Sequence, residues 1–333
     1  MLYIKPTTIF LLVTAFGAGF ALWLSLDGGL DSKANTSILS RQVEPAGELP
    51  KGFVVWSSNR SGNHDIFKMT LPDRQVTRLT DHPHAEYFPR ISPDGKSIVF
   101  SRSRKPKVSQ RKHLPWDVIL LDLDTGNERL LAPYGNTPTW SVDGRRVYFQ
   151  RNVMQFVQHD VSTGNESILF QSGTGKVREG AGLQTPHIGP DGKQIAVTLR
   201  FKQHLMGIVD PAGNISRISD GCQLTWSRRG DFLYFVDYGG RMKNAIFFYE
   251  PSRKQAQMWL DLPGEFSHEY FPKLSNDERY LAFGASRSAK DHEHDRADYE
   301  IFLWQVGTPP GNVTRLTFNK ANDGWPDVHF HKD

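Results

Sequence analysis

One pattern recurs along this chain beyond residue 51 and limits what it can fold into. A short aromatic- or proline-led segment is followed by a Ser-Pro-Asp-Gly-Lys turn, or a relative of it, and then by an alternating strand. The copies are FPRISPDGKSIVFSR (88–102), TPTWSVDGRRVYFQR (137–151), TPHIGPDGKQIAVTLR (185–200), QLTWSRRGDFLYFVD (223–237) and FPKLSNDERYLAFGAS (271–286). A truncated copy, WPDVHF (325–330), ends the chain. Equivalent apolar positions are Ile91, Trp140, Ile188, Trp226, Leu274 and Val328, at intervals of 49, 48, 38, 48 and 54 residues. A period of this size in a β-rich chain marks radially repeated sheets rather than a single sandwich.

Each copy continues into further strands, among them WDVILLDL (116–123), QFVQHDV (155–161), HLMGIVD (204–210), NAIFFYE (244–250) and YEIFLWQV (299–306). Turns such as Asp124-Thr125-Gly126-Asn127 and Ser162-Thr163-Gly164-Asn165 separate them. Alternation broken by Gly and Asn, which tolerate positive φ, is a hairpin signal. Four short antiparallel strands per repeat build one β-propeller blade. The truncated copy lacks three strands, and three unassigned strands stand at the other end: FVVWSS (53–58), DIFKMT (65–70) and QVTRLT (75–80). The expected fold is therefore an all-β, six-bladed propeller over 52–333, with the C-terminal strand completing the N-terminal blade. Such closure removes the edge strand that would otherwise invite aggregation.

The stretch SSNRSGNHDIFKMTLPDRQVTRLTDHPHAEYFPRISPDGKSIVFSR (57–102) resembles the WD-like repeat of the TolB family, and the resemblance extends over all the copies. It implies the six-bladed fold. It says less about function, because the same repeat occurs in periplasmic scaffolds and in the propellers of some peptidases. TolB carries a small α/β domain before its propeller. Here a different segment occupies that place.

Residues 7–26 run without a charge, TTIFLLVTAFGAGFALWLSL. A helix of that length spans about 30 Å, the hydrocarbon thickness of a bilayer. Lys5 precedes the run, and Asp27 and Asp31 follow it, which places the amino end in the cytoplasm. The expectation is a single-pass inner-membrane anchor (1–26), a polar linker (27–51) and a propeller in the periplasm or exterior. A cleaved signal peptide is the competing reading, with Gly19-Phe20-Ala21 as its small-x-small site. The single Cys222 excludes an internal disulfide framework and any four-Cys zinc site. No Gly-x-Ser-x-Gly elbow, Walker motif or His-Glu-x-x-His is present.

In a four-stranded antiparallel blade, loops alternate between two faces. The first–second and third–fourth loops are tight turns here. Length variation falls on the other face, in 103–115, 171–184 and 285–298 and in the links between blades. Binding groups concentrate in such variable loops. Arg102, Arg104, Lys105, Lys107, Arg111 and Lys112 lie there without an acid among them. Together they carry +6, against a net charge of +4 for the whole chain, so the remainder is near neutral. They read either as a dock for an acidic partner or anionic lipid, or as a solvated hairpin. No aromatic lies within the run, which argues against nucleic acid. The loop Lys290-Asp291-His292-Glu293-His294-Asp295 is open to the same two readings, metal binding or surface charge.

The near-duplicates HAEYFP (84–89) and SHEYFP (267–272) place Glu86 and Glu269 at one repeat position, with Asp323 equivalent. Three carboxylates at one channel mouth suit Ca²⁺ or another hard cation. They equally suit turn caps, with Tyr87 and Tyr270 either packing or contacting a ligand. The leading expectation is a monomeric, non-catalytic membrane-anchored scaffold that needs no cofactor and binds an envelope protein, as the TolB resemblance implies. The alternative is a metal-dependent hydrolase, lactonase or lyase acting on a carbohydrate-like substrate at the channel.

Overall fold

The computed structural model describes residues 48–112, 116–202, 204–287, 294 and 297–332. The apolar run 7–26 lies outside the described residues. Among the described residues no helix is long and apolar enough to cross a membrane.

Six four-stranded antiparallel sheets form the six-bladed propeller expected from the repeat. The chain starts with β1 (Gly52–Ser58), β2 (Asp65–Leu71) and β3 (Val76–Arg78). Blade 2 holds β4 (Glu86–Ile91), β5 (Ser97–Ser103), β6 (Trp116–Asp122) and β7 (Glu128–Ala132). Blade 3 holds β8 (Gly135–Trp140), β9 (Arg146–Arg151), β10 (Gln155–Asp160) and β11 (Glu166–Gln171). In blade 4 these are β12 (Gly182–Ile188), β13 (Ile195–Arg200), β14 (His204–Val209) and β15 (Ile215–Ser219). Blade 5 comprises β16 (Cys222–Trp226), β17 (Leu233–Gly240), β18 (Lys243–Glu250) and β19 (Gln255–Leu260). Blade 6 comprises β20 (His268–Leu274), β21 (Tyr280–Ser286), β22 (Glu300–Gln305) and β23 (Thr314–Arg315). The last strand, β24 (Asp323–Phe330), pairs antiparallel with β1 and so completes blade 1. Every residue of β24 is buried, as is every residue of β1.

The recurrent turn has a local cause. In the β4–β5 turn Ser92 Oγ donates to Asp94 Oδ1 (2.5 Å), which also accepts from Lys96 N (3.1 Å), while Gly95 takes φ 75°. Ser141, Asp143 and Gly144 repeat this arrangement at β8–β9. The outer hairpins use an Asp carboxylate as the local acceptor. Asp160 Oδ1 accepts from Thr163 N (2.9 Å) and from the hydroxyls of Ser162 and Thr163, which hold its carboxyl down at about 2. Asp side chains that bond the backbone ahead of them favour turns over strand continuation.

The hydrophobic core is divided among the junctions between blades. Val54, Trp56, Met69 and Phe330 of blade 1 pack on Ala282, Ile301 and Leu303 of blade 6. Val55 and Ile66 pack on Ile98 and Phe100 of blade 2. The same arrangement recurs between blades 2 and 3, 3 and 4, and 4 and 5. Burial of each apolar side chain contributes about 1.5–3 kcal/mol. No blade buries both of its faces alone, so the closed ring is the stable unit.

Candidate functional site

The axial channel is built by the inner strand of each blade. At one repeat position all six inner strands carry a residue with positive φ: Phe88 (58°), Thr137 (50°), Thr185 (45°), Gln223 (60°), Phe271 (60°) and Trp325 (60°). Proline follows in five of them and Leu224 in the sixth. The pairing register slips at each of these points, which defines a β-bulge. An extra residue reverses the inside–outside parity of the strand. Tyr87 pairs with Ser101 and Arg90 with Val99, so Tyr87 and Arg90 share a face while Glu86 lies on the opposite one.

The six bulge residues form the waist of the channel, a constriction of about 50 Å³. Trp325 fills much of it, with its ring 3.9 Å from that of Phe271 and 4.4 Å from that of Phe88. A chamber opens on each side of the waist. The larger, about 520 Å³, lies on the face of the tight turns. The smaller, about 360 Å³, lies on the face of the variable loops. Both fall within or near the size range of small-molecule sites. The variable loops were the expected functional face, yet the larger chamber is on the other side. Tight turns leave that mouth open, whereas residues such as Gln110, Arg111 and His294 reach into the second chamber.

The residue two positions after each bulge residue faces the turn-side chamber or its neck: Arg90, Thr139, His187, Thr225, Lys273 and Asp327. Asp327 is committed to backbone, accepting from Ile91 N (2.8 Å) and Val328 N (3.0 Å). Arg90 donates to the carbonyls of Pro89 (2.7 Å) and Pro326 (3.4 Å). Nδ1 of His187 accepts from Trp226 N (3.4 Å). Burial holds the His187 imidazole well below its ordinary 6.5, helped by the charges of Lys273 and Arg90. Burial, reinforced by Arg90, pushes the Lys273 ammonium down to about 7 against the pull of Asp327.

On the variable-loop face, Arg111 and Tyr270 line the smaller chamber with Arg200, Asn136 and Gln184. Arg104, Lys105, Lys107, Arg111 and Lys112 are exposed. Arg104 pairs with Asp117 (3.4 Å) and lies over the Tyr134 ring (4.2 Å). Arg102 is placed differently from the others. It bridges Glu86 (2.5 Å) and Glu128 (2.7 Å) within blade 2. Tyr87 is buried against His64 (4.4 Å), Phe88 and Trp116 (5.8 Å), and Tyr270 against His294 (4.4 Å) and Tyr299. Of the His-rich loop only His294 is among the described residues up to 296.

Glu86, Glu269 and Asp323 occupy equivalent places near the start of β4, β20 and β24, and all three are fully buried. The bulge parity turns them away from the axis. Glu86 accepts from Thr80 Oγ1 and from Arg102 Nε (2.6 Å). Burial pushes its carboxyl up to about 7 against both partners. Asp323 accepts from Ser58 (2.5 Å), Arg60 (2.7 Å) and Asn319 (2.7 Å). Glu269 accepts from Leu262 N (2.6 Å), its Oε2 has no hydrogen-bond partner among the described residues, and burial pushes its carboxyl up to about 8. Among the described residues no group of three or more His, Cys, Asp or Glu side chains is placed to hold a metal ion. The structure thus gives these three carboxylates separate neighbourhoods.

Six sheets, a closing C-terminal strand and an axial channel can be compared with solved propellers. The chain superposes on TolB from Acinetobacter baumannii with a TM-score of 0.61 at 16% identity, over 83% of this chain and 66% of that one. It superposes on a TolB structure from Agrobacterium tumefaciens with a TM-score of 0.58 at 15% identity, over 84% and 92%. The fold is that of the TolB six-bladed propellers. By sequence, 134 residues are 30% identical to the uncharacterized protein Atu1656 of Agrobacterium fabrum, covering 38% of this chain. The match spans 45% of that relative's length, less than half of it. No family model matches the chain. Within this TolB-like propeller the channel residues Arg90 and Lys273 escaped sequence reasoning. Their signal was the repeated proline: inside a strand it marks a bulge, and the residue after it then faces the axis.

Proposed function

We propose that this TolB-like propeller is a non-catalytic binding protein, held at the inner membrane by residues 1–26, that docks an acidic surface of an envelope protein in the periplasm. The fold supports a binding or scaffold role. The observation that carries the finer reading is one loop. Arg104, Lys105, Lys107, Arg111 and Lys112 stand exposed beside a chamber of about 360 Å³, with Arg111 on its lining. Clustered charge of one sign beside a cavity steers an oppositely charged partner and fixes its register. Arg102 contributes by holding the base of the loop to Glu86, not by contact. The metal-dependent alternative gains no support from Glu86, Glu269 and Asp323, because they lie in separate neighbourhoods and form no group placed to hold a metal ion among the described residues.

The test is in-cell crosslinking of the full chain, followed by the same capture with Arg104, Lys105, Lys107, Arg111 and Lys112 all changed to Gln. The reading expects one defined acidic partner with the native loop. It expects loss of that partner with the neutral loop, at unchanged melting temperature. Equal capture by both chains refutes it.

A further inference from the structure

The larger chamber lies on the face opposite the cationic loop, and the proposed docking does not use it. Its inner ring is chemically uneven. Thr139 and Thr225 are neutral, and His187 is held in its neutral form by its surroundings. Arg90 and Lys273 are cations, and Asp327 is the ring's one acid. With Lys273 protonated, the ring therefore carries +1. Asp327 acts on the two cations through its charge, while its oxygens accept from the amides of Ile91 and Val328 and form no ion pair with either cation among the described residues. In the rest of the lining Arg146 and Arg228 are balanced in charge by Asp143 and Asp191.

Lys273 itself makes no hydrogen bond and no ion pair within 4.0 Å among the described residues. Lys273 is half-buried and lines both the chamber and its neck. A cation that has lost part of its water and has no ion-pair partner gains when a counter-anion arrives. Around this ring the wall mixes polar turn residues with an apolar set, Trp140, Trp226, Pro93, Pro190 and Leu274. A pocket with a few convergent polar groups and apolar walls is the ordinary form of a small-molecule site.

We propose that the turn-side chamber binds a small organic carboxylate, its anionic head on Lys273 and Arg90 and its body between Trp140, Trp226 and the two prolines. One negative charge matches the excess of the ring. Arg90 keeps two of its nitrogens free of backbone carbonyls, and Lys273 has all its N–H groups to offer. The neutral His187 accepts on Nδ1, which leaves its other nitrogen as a donor toward the same space. Binding requires the charged form of Lys273. The groups that set this charge are Arg90 from β4, His187 from β12, Arg228 and Tyr234 from blade 5, and Asp327 from β24.

The test is isothermal titration of the full chain with benzoate and, separately, with inorganic phosphate, below and above neutral pH. The proposal expects saturable benzoate binding that weakens as pH rises past about 7, where Lys273 loses its proton. Lys273→Met should fold, since it removes an unpartnered charge, and should bind benzoate at least about tenfold more weakly. Lys273→Arg should retain binding, and Arg253→Ala, on the outer edge of blade 5, should leave it unchanged. Phosphate binding without benzoate binding overturns the carboxylate assignment. Equal affinity in Lys273→Met, or no binding of either probe, overturns the site. Loss of the loop-side partner on neutralising Arg104 to Lys112 has no bearing on this outcome, so the two proposals fail separately.

Discussion

Replacing Glu269 by Gln separates the two readings of the buried acids, because each predicts a different dependence on pH and on metal. The Glu269 side chain is fully buried; one oxygen accepts from Leu262 N and the other has no hydrogen-bond partner among the described residues. Burial, with the nearby charge of Asp261, raises its carboxyl from 4.5 to about 8 against the backbone amides and Arg241. Between those two pH values the folded chain holds a proton that the unfolded chain has released. The folded state then binds more protons, so stability falls as pH rises across this window. At 1.36 kcal/mol per tenfold, the full loss approaches about 5 kcal/mol by pH 8.

Gln is neutral throughout, so the Glu269→Gln chain lacks this slope. Urea unfolding of both full-length chains at several pH values measures it. The difference in unfolding free energy should move progressively in favour of the variant from pH 4.5 to about 8, and then level off. Glu86 contributes a slope of the same sign, but it is present in both chains and cancels. A difference that stays constant over the window would refute the reasoning, because Glu269 would then ionise as an ordinary carboxylate. A chelator that destabilises the native chain but not the variant would establish Glu269 as a metal ligand instead.

Two further substitutions test the scaffold. In Gly52→Ala the added Cβ would lie 2.2 Å from the His329 carbonyl oxygen and 2.9 Å from Phe330 Cα, forcing β1 away from the closing strand. A loss of about 3 kcal/mol in urea unfolding is expected, and a loss under about 1 kcal/mol would mean that β24 contributes little to closure. Thr185→Gly acts in the opposite direction. Thr185 sits at φ 45° with a buried hydroxyl that has no hydrogen-bond partner among the described residues, so removing its side chain relieves strain. Stability should hold or rise by up to about 1 kcal/mol, where Gly in a regular strand would lower it; a clear loss in thermal unfolding would contradict the strained bulge.

The blades were readable from sequence because every copy buries the same positions against its neighbour. Ile91, Trp140, Ile188, Trp226 and Val328 recur since each packs at an equivalent junction, and a pattern repeated by packing is repeated in letters. The closing strand followed from counting, since WPDVHF had no partners of its own and FVVWSS, DIFKMT and QVTRLT had no inner strand. Even TRLT has a structural reason, which Arg315-Leu316-Thr317 repeats in blade 6. Arg78 pairs with Asp65 (2.9 Å), and Thr80 Oγ1 accepts from Ile66 N (2.9 Å). Arg315 pairs with Glu300 (3.1 Å), and Thr317 Oγ1 accepts from Ile301 N (2.9 Å).

Which side chains of the inner strands face the axis has one physical cause that the repeat alone does not give. In an unbroken strand, alternation would place Glu86, Phe88 and Arg90 on one face. A single extra residue before each proline reverses that parity. It turns the acids into the blade junctions and leaves Arg90, His187, Lys273 and Asp327 around the chamber. Proline in a strand cannot donate to the ladder and is confined to edges and bulges. Five of the six inner strands carry one at the same place. The proline therefore specifies which side chains face the axis, and the charge of the channel follows from the residue after it, not from the acid three positions before.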